Sequence, residues 1–257
     1  MVPRISPESW PLVVAHRGGA ALWAENSITA FRGAVGLGVD LIEFDVHPTR
    51  DGKIVVIHDP TLERTTTGAG AVADHEWSEL EKLRLKEGGH DRIPLFDEVI
   101  DLIKPTPLGL RMEIKMRADA TPYPGLEAML AERLEATGML GRTVVTSFAW
   151  ETLKTFGALA EPAGFIALVK RGIFDDAGGI EGAGKMVRAG GFAEMGAPIS
   201  CLGADSVARA RDLGLRLGAF SVRKRADIEN ALKWGVNVFT TDRPDLAMTL
   251  RRRLYGV

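Results

Sequence analysis

The feature that most constrains this chain is a rhythm. Short apolar, β-branched runs recur between stretches with helical period, the pattern of parallel strands joined by crossover helices. Nine such runs occur: Leu12-Ala15, Leu41-Val46, Ile54-Ile57, Gly109-Ile114, Thr143-Phe148, Gly164-Val169, Ala197-Leu202, Leu215-Val222 and Val236-Thr240. A closed (β/α)8 barrel needs only eight. The pair Asp51-Gly52 lies between the second and third runs, and Asp-Gly flanked by strands is a strong hairpin signal. Ile54-Ile57 therefore reads as a return arm folded onto Leu41-Val46. The other eight runs predict an α/β fold, a single (β/α)8 TIM barrel over residues 1–257.

Helical period covers Ser27-Leu37, Gly125-Thr137, Trp150-Leu159, Asp205-Leu213, Lys224-Trp234 and Pro244-Leu254. Asn26 is the expected N-cap of the first, and Pro244 suits the first turn of the last. The interval at about 59–107 lacks a good barrel strand and reads as a small insertion after the second strand, with a short helix at Trp77-Leu83. Gly179-Ile180-Glu181-Gly182-Ala183-Gly184-Lys185 has the glycine and lysine spacing of a nucleotide P-loop. Met186 follows, with no hydroxyl for Mg²⁺, and no buried strand precedes. The expected structure there is a flexible loop over the barrel mouth.

Composition narrows the partners. The 32 basic and 34 acidic residues are scattered and give a formal charge of −2, so nothing is built to wrap nucleic acid or an anionic membrane. Cys201 is the only cysteine, which excludes an internal disulfide and a thiolate cluster, and leaves oxygen and imidazole as metal ligands. Met1-Pro11 lacks the apolar region of a signal peptide, and no stretch approaches the roughly 20 apolar residues of a membrane span. A cytoplasmic protein without stable membrane insertion is expected, acting on a small molecule; homo-oligomerisation stays open.

Glu43-Phe44-Asp45 carries the first chemical signal. Residues two apart on a strand share a face, so if Phe44 packs against the helices both acids point into the barrel. Two carboxylates there repel unless a cation lies between them. Glu113-Ile114-Lys115 repeats the arrangement on the next strand with an acid and a base. Glu43, Asp45 and Glu113 are then an all-oxygen site for Mg²⁺ or Ca²⁺, or else acids paired with arginines as structural salt bridges. His16 and His58 each follow an apolar run directly, and the hairpin returns His58 to the level of the acids. Two imidazoles can divide a displacement, one removing a proton from the attacking oxygen and the other protonating the leaving alkoxide. Arg17 and Lys115 match an anionic phosphodiester, although Arg17 could instead brace the loop through Glu25. His47, His75 and His90 lack a second chemical feature; His47 could cap the hairpin.

These segments together resemble the glycerophosphodiester phosphodiesterase family. The resemblance runs through Ala15-His16-Arg17-Gly18-Gly19, Glu25-Asn26-Ser27, Glu43-Phe44-Asp45-Val46, Asp51-Gly52 and Val56-Ile57-His58-Asp59. It continues through Leu62-Glu63-Arg64-Thr65-Thr66 to Gly70, Ile93-Pro94-Leu95, Glu113-Ile114-Lys115, Ser147-Phe148 and Thr240-Thr241-Asp242-Arg243-Pro244. It implies one divalent cation on Glu43, Asp45 and Glu113, acid and base roles for His16 and His58, and hydrolysis to glycerol 3-phosphate and an alcohol. It further implies attack by the glycerol hydroxyl, giving a cyclic phosphate that water opens. Two departures stand out: Ala24 replaces a usual proline, and Phe220-Ser221-Val222-Arg223 replaces a common Trp-Thr-Val-Asn. Phe220 keeps an apolar wall of the substrate cleft without the indole donor, and Arg223 adds charge. Two rival readings remain: a related barrel phosphodiesterase acting on lysophospholipid or other headgroup esters, and a non-catalytic phosphodiester sensor.

Overall fold

The computed structural model describes residues 10–257. In chain order the elements are β1 (Leu12–Ala15), α1 (Ile28–Leu37), β2 (Leu41–Pro48), β3 (Ile54–Val56), α2 (Trp77–Leu80), α3 (Phe96–Ile103), β4 (Gly109–Ile114), α4 (Leu126–Thr137), β5 (Thr143–Ser147) and α5 (Trp150–Leu159). They continue with β6 (Gly164–Leu168), α6 (Arg171–Asp176), α7 (Ile180–Ala189), β7 (Glu194–Pro198), α8 (Ser206–Asp212), β8 (Arg216–Val222), α9 (Arg225–Trp234), β9 (Val238–Thr241) and α10 (Pro244–Tyr255).

Eight strands pair in parallel, and β1 bonds both β9 and β2, which closes them into a (β/α)8 barrel. The ninth, β3, runs antiparallel to β2 with Val46 opposite Val56 and Pro48 opposite Ile54, as the Asp-Gly turn requires. Alternation along β2 sorts its side chains into two layers. Ile42, Phe44 and Val46 join the core between barrel and helices, where Phe44 meets Phe31 edge-on and also touches Phe96. Leu41 faces inward and packs with Leu12, Val14, Val144, Ile166 and Val238 toward the strands' N-terminal ends. Glu43 and Asp45 share that inward side. Truncating Phe44 to Ala would leave a void worth about 3–5 kcal/mol, so the packing of Phe44 fixes the aim of both acids.

Four expectations need correction. The seventh strand is Glu194–Pro198 rather than Ala197-Leu202; Ile199–Cys201 is a 3₁₀ turn, and Glu194 and Gly196 break the apolar signal that would mark the strand's start. The glycine-rich segment is helix α7, not a flexible loop. Ile180, Ala183 and Val187 bury one face, and its glycines permit close approach, since a Cβ on Gly184 would lie 2.6 Å from Leu213. Ser27, not Asn26, caps α1, its hydroxyl accepting the Ala30 N–H at 3.0 Å. The stretch outside the barrel ends by Leu95, because α3 is the crossover helix that leads to β4. That stretch packs its own small core of Val55, Ile57, Leu62, Val72, Leu80 and Ile93. Among the described residues no helix is long and apolar enough to cross a membrane.

Candidate active site

Strand alternation delivers three carboxylates to one point. Asp45 stands beside Glu113 in the β2–β4 register, Glu43 lies one inward position earlier, and carboxylate oxygens of all three fall within 4.8 Å of one another. Neighbouring donors orient them. Asn26 Nδ2 donates to Asp45 Oδ2 at 2.9 Å, and the Arg17 backbone N–H donates to Glu43 Oε2 at 2.8 Å. Both donors come from residues in the left-handed region, Arg17 at φ 50° and Asn26 at φ 56°. The turn that holds Arg17 needs glycine next, because a Cβ on Gly18 would meet that of Ala30 at 2.7 Å.

Glu43 and Asp45, side by side on one face, are shifted in opposite directions. Burial and the neighbouring Asp45 push the Glu43 carboxyl up to about 7. Asp45 is equally buried, yet Lys115, His58 and Arg17 hold it well below the usual carboxylate range. Lys115 Nζ sits 2.8 Å from Glu113 Oε1 and 3.3 Å from Asp45 Oδ1. Asp45 Oδ1 is buried and accepts no hydrogen bond among the described residues. A buried carboxylate oxygen without a hydrogen bond, set among two further acids and the Lys115 ammonium, suits a hard divalent cation, which takes oxygen ligands.

His16 and His58 open onto the same cleft, each backed by a carboxylate. His16 Nδ1 donates to Asp242 at the end of β9; burial disfavours the imidazolium, but Glu43 and Asp242 outweigh it and raise the pKa. His58 Nδ1 donates to Asp59 Oδ1 at 2.5 Å, but Arg64 Nε already claims Asp59 Oδ2 at 2.5 Å. Burial lowers the His58 pKa, and Lys115 and Arg17 add to the effect. The cleft, of about 180 Å³, is also lined by Arg17, Lys115, Arg111, Phe148, Phe220, Ser221 and Arg223. Arg17 combines both roles considered for it: it lines the cleft and donates to Glu25 Oε1 at 2.8 Å. Phe220 meets Phe148 edge-on at 5.7 Å, beside an irregularity in the β8–β9 register that leaves Ser221 at φ 57°.

Several contributors escaped the sequence reading. Arg111 is buried inside the barrel opposite Glu43 in register, and donates across it to Thr240 Oγ1 at 2.9 Å. His47 does more than close the hairpin: Nε2 donates to the His58 carbonyl at 3.1 Å while Nδ1 accepts from Tyr123 Oη at 2.9 Å. Burial drops its pKa to about 4, so it stays neutral. Inward alternation along β2 and β4 was the available signal for His47 and Arg111. His75 and His90 remain apart from the cleft, His75 bonding the Ala69 carbonyl.

Known proteins resemble this chain over nearly its whole length. The profile of the glycerophosphoryl diester phosphodiesterase family matches residues 16–246. A glycerophosphodiester phosphodiesterase of Caldanaerobacter subterraneus subsp. tengcongensis is 32% identical over 247 residues, covering 94% of this chain and 98% of its own. A crystal structure from Agrobacterium tumefaciens bearing the same family designation superposes with a TM-score of 0.93 at 30% identity, over 97% of this chain and 100% of the other. The fold also matches an Oleispira antarctica phosphodiesterase in complex with its product sn-glycerol-3-phosphate, with a TM-score of 0.79 at 24% identity, over 93% and 96% of the two chains. With the match spanning nearly all of the barrel, the chain belongs to the glycerophosphoryl diester phosphodiesterase family.

Proposed function

We propose that this protein hydrolyses small glycerophosphodiesters to glycerol 3-phosphate and an alcohol, with one divalent cation, Mg²⁺ or Ca²⁺, held by Glu43, Asp45 and Glu113. The observation that carries the reading is the meeting of these three acids with two carboxylate-backed histidines in one cleft. Family membership supports the reaction class, and the Oleispira antarctica relative supports the product. Such a cation, when bound, polarises the phosphoryl oxygens and offsets the charge that gathers on them.

The chain's own residues divide the remaining work. His58 is the base: burial, with Lys115 and Arg17 nearby, lowers its pKa, so the ring stays unprotonated and can accept the proton of the attacking oxygen while Asp59, held by Arg64, orients it. His16 is the acid: Asp242 and Glu43 favour its imidazolium, which gives a proton to the departing alkoxide. Arg17 and Lys115 hold the non-bridging oxygens, and Phe220 with Phe148 forms the wall against which the glycerol carbons rest. His47, anchored on Tyr123, fixes the His58 backbone.

The test is product analysis by phosphorus NMR with glycerophosphocholine, glycerophosphoethanolamine and a lysophospholipid. Glycerol 3-phosphate from the two glycerophosphodiesters supports the proposal. A cyclic phosphate that persists would mean transfer without hydrolysis, and no turnover of any ester would return the protein to the sensor reading.

A further inference from the structure

We infer that the cleft discriminates by headgroup charge, accepting an anionic second alcohol in preference to a cationic one. This rests on the proposed hydrolysis and concerns the half of the substrate that leaves. The open cleft of about 180 Å³ is below the ~300 Å³ at which pockets begin to take drug-sized ligands, so it suits the glycerol phosphate half alone. The second alcohol must then lie along the rim.

That rim is cationic and aromatic. Arg223 lines the cleft with its side chain 63% exposed, and Lys170 Nζ stands over the Phe148 ring at 5.6 Å. Phe148 and Phe220, the two rings of the wall, already meet edge to face. A quaternary ammonium group is recognised by free aromatic faces and nearby carboxylates. Here the Phe148 ring already has a resident cation over it. The acids that line the cleft, Glu43 and Glu113, belong to the three-carboxylate cluster. Asp242 is the acid beside Arg223, at 3.0 Å, and it is shared with His16. A choline headgroup would therefore meet Lys170 and Arg223 with no unshared carboxylate lining the cleft among the described residues to offset them, whereas a phosphate or carboxylate on the headgroup would find two donors. Ser221, aimed into the same cleft from the bulged end of β8, offers a hydroxyl to either.

The experiment compares kcat/KM for glycerophosphoinositol 4-phosphate, glycerophosphoglycerol and glycerophosphocholine with metal present. At low salt the anionic substrate should exceed the choline ester by at least about fivefold, the scale of a few exposed charge contacts, and the ratio should shrink at about 0.3 M salt. The double variant Lys170→Gln/Arg223→Gln should collapse the ratio, while Lys170→Arg/Arg223→Lys should keep it, a distinction that a merely structural role would not produce. A choline ester used as well as the anionic one, or a ratio unmoved in the double Gln variant, would overturn the inference. Turnover of none of the three diesters would overturn the proposed hydrolysis and this inference with it.

Discussion

Two buried groups of charge in this barrel are built in opposite ways. Beneath β1, Arg251 of α10 pairs with Asp40, and Asp40 Oδ2 also accepts the Val13 N–H at 2.7 Å. That contact joins residues far apart in the chain and sets one cation against one anion. At the mouth, Glu43, Asp45 and Glu113 crowd within 4.8 Å, and one Asp45 oxygen accepts no hydrogen bond among the described residues. A structural ion pair offsets its own desolvation; at the mouth, burial and the neighbouring Asp45 instead raise the Glu43 pKa, while Lys115 lies against Asp45 and Glu113. The difference is one of stoichiometry: the brace pairs one cation with one anion, whereas at the mouth three acids share Lys115 and Arg17, which is the arrangement the proposed cation site builds on.

Substitutions can break or sharpen that contrast. The largest effect should come from His16→Ala and His58→Ala, each lowering kcat by at least about a hundredfold while circular dichroism and thermal melting stay normal. Near-normal turnover in both folded variants would remove them from the chemistry. Asp242→Asn should cost less, about tenfold at neutral pH, by weakening the hold on the His16 proton. An acid must stay protonated, and its pKa is raised here, so activity is lost as pH rises through that pKa; the alkaline limb of the kcat profile should move to lower pH in this variant.

Metal affinity should itself depend on pH. Because Glu43 titrates at about 7, a proton competes with the cation below that value and not above it. Calorimetric titration should show binding weakening by up to about tenfold per pH unit between pH 7 and 5.5, with protons released on binding. An affinity flat across that window would mean Glu43 is not a ligand. The smallest effect on activity belongs to the brace: Arg251→Leu should lower unfolding stability by about 1–3 kcal/mol in a denaturant titration and leave kcat unchanged. A fall in kcat at unchanged substrate saturation would show that the two charge groups are coupled.

Much of this is legible in the sequence. The inward aim of Glu43 and Asp45 followed from period-two alternation with Phe44 behind them, and one Asp-Gly pair brought His58 to their level. Other features depended on barrel closure, which couples residues by proximity rather than by pattern. Asp242 reaches His16 only because β9 closes on β1, and Tyr123 reaches His47 from a loop 76 residues away. Gly182 and Gly184 looked like flexibility when read locally, yet they are what lets α7 press against its neighbours. Glu194 obscured the start of β7 because a charged residue inside a barrel wall breaks the apolar run by which a strand is recognised.

The most direct test of a cation held by the three acids is turnover of glycerophosphoglycerol by wild-type protein and Asp45→Asn, first stripped with chelator and then supplied with Mg²⁺ or Ca²⁺. The account predicts no glycerol 3-phosphate from stripped wild-type protein, recovery when the cation is returned, and little recovery in Asp45→Asn. Equal turnover with and without chelator would contradict it.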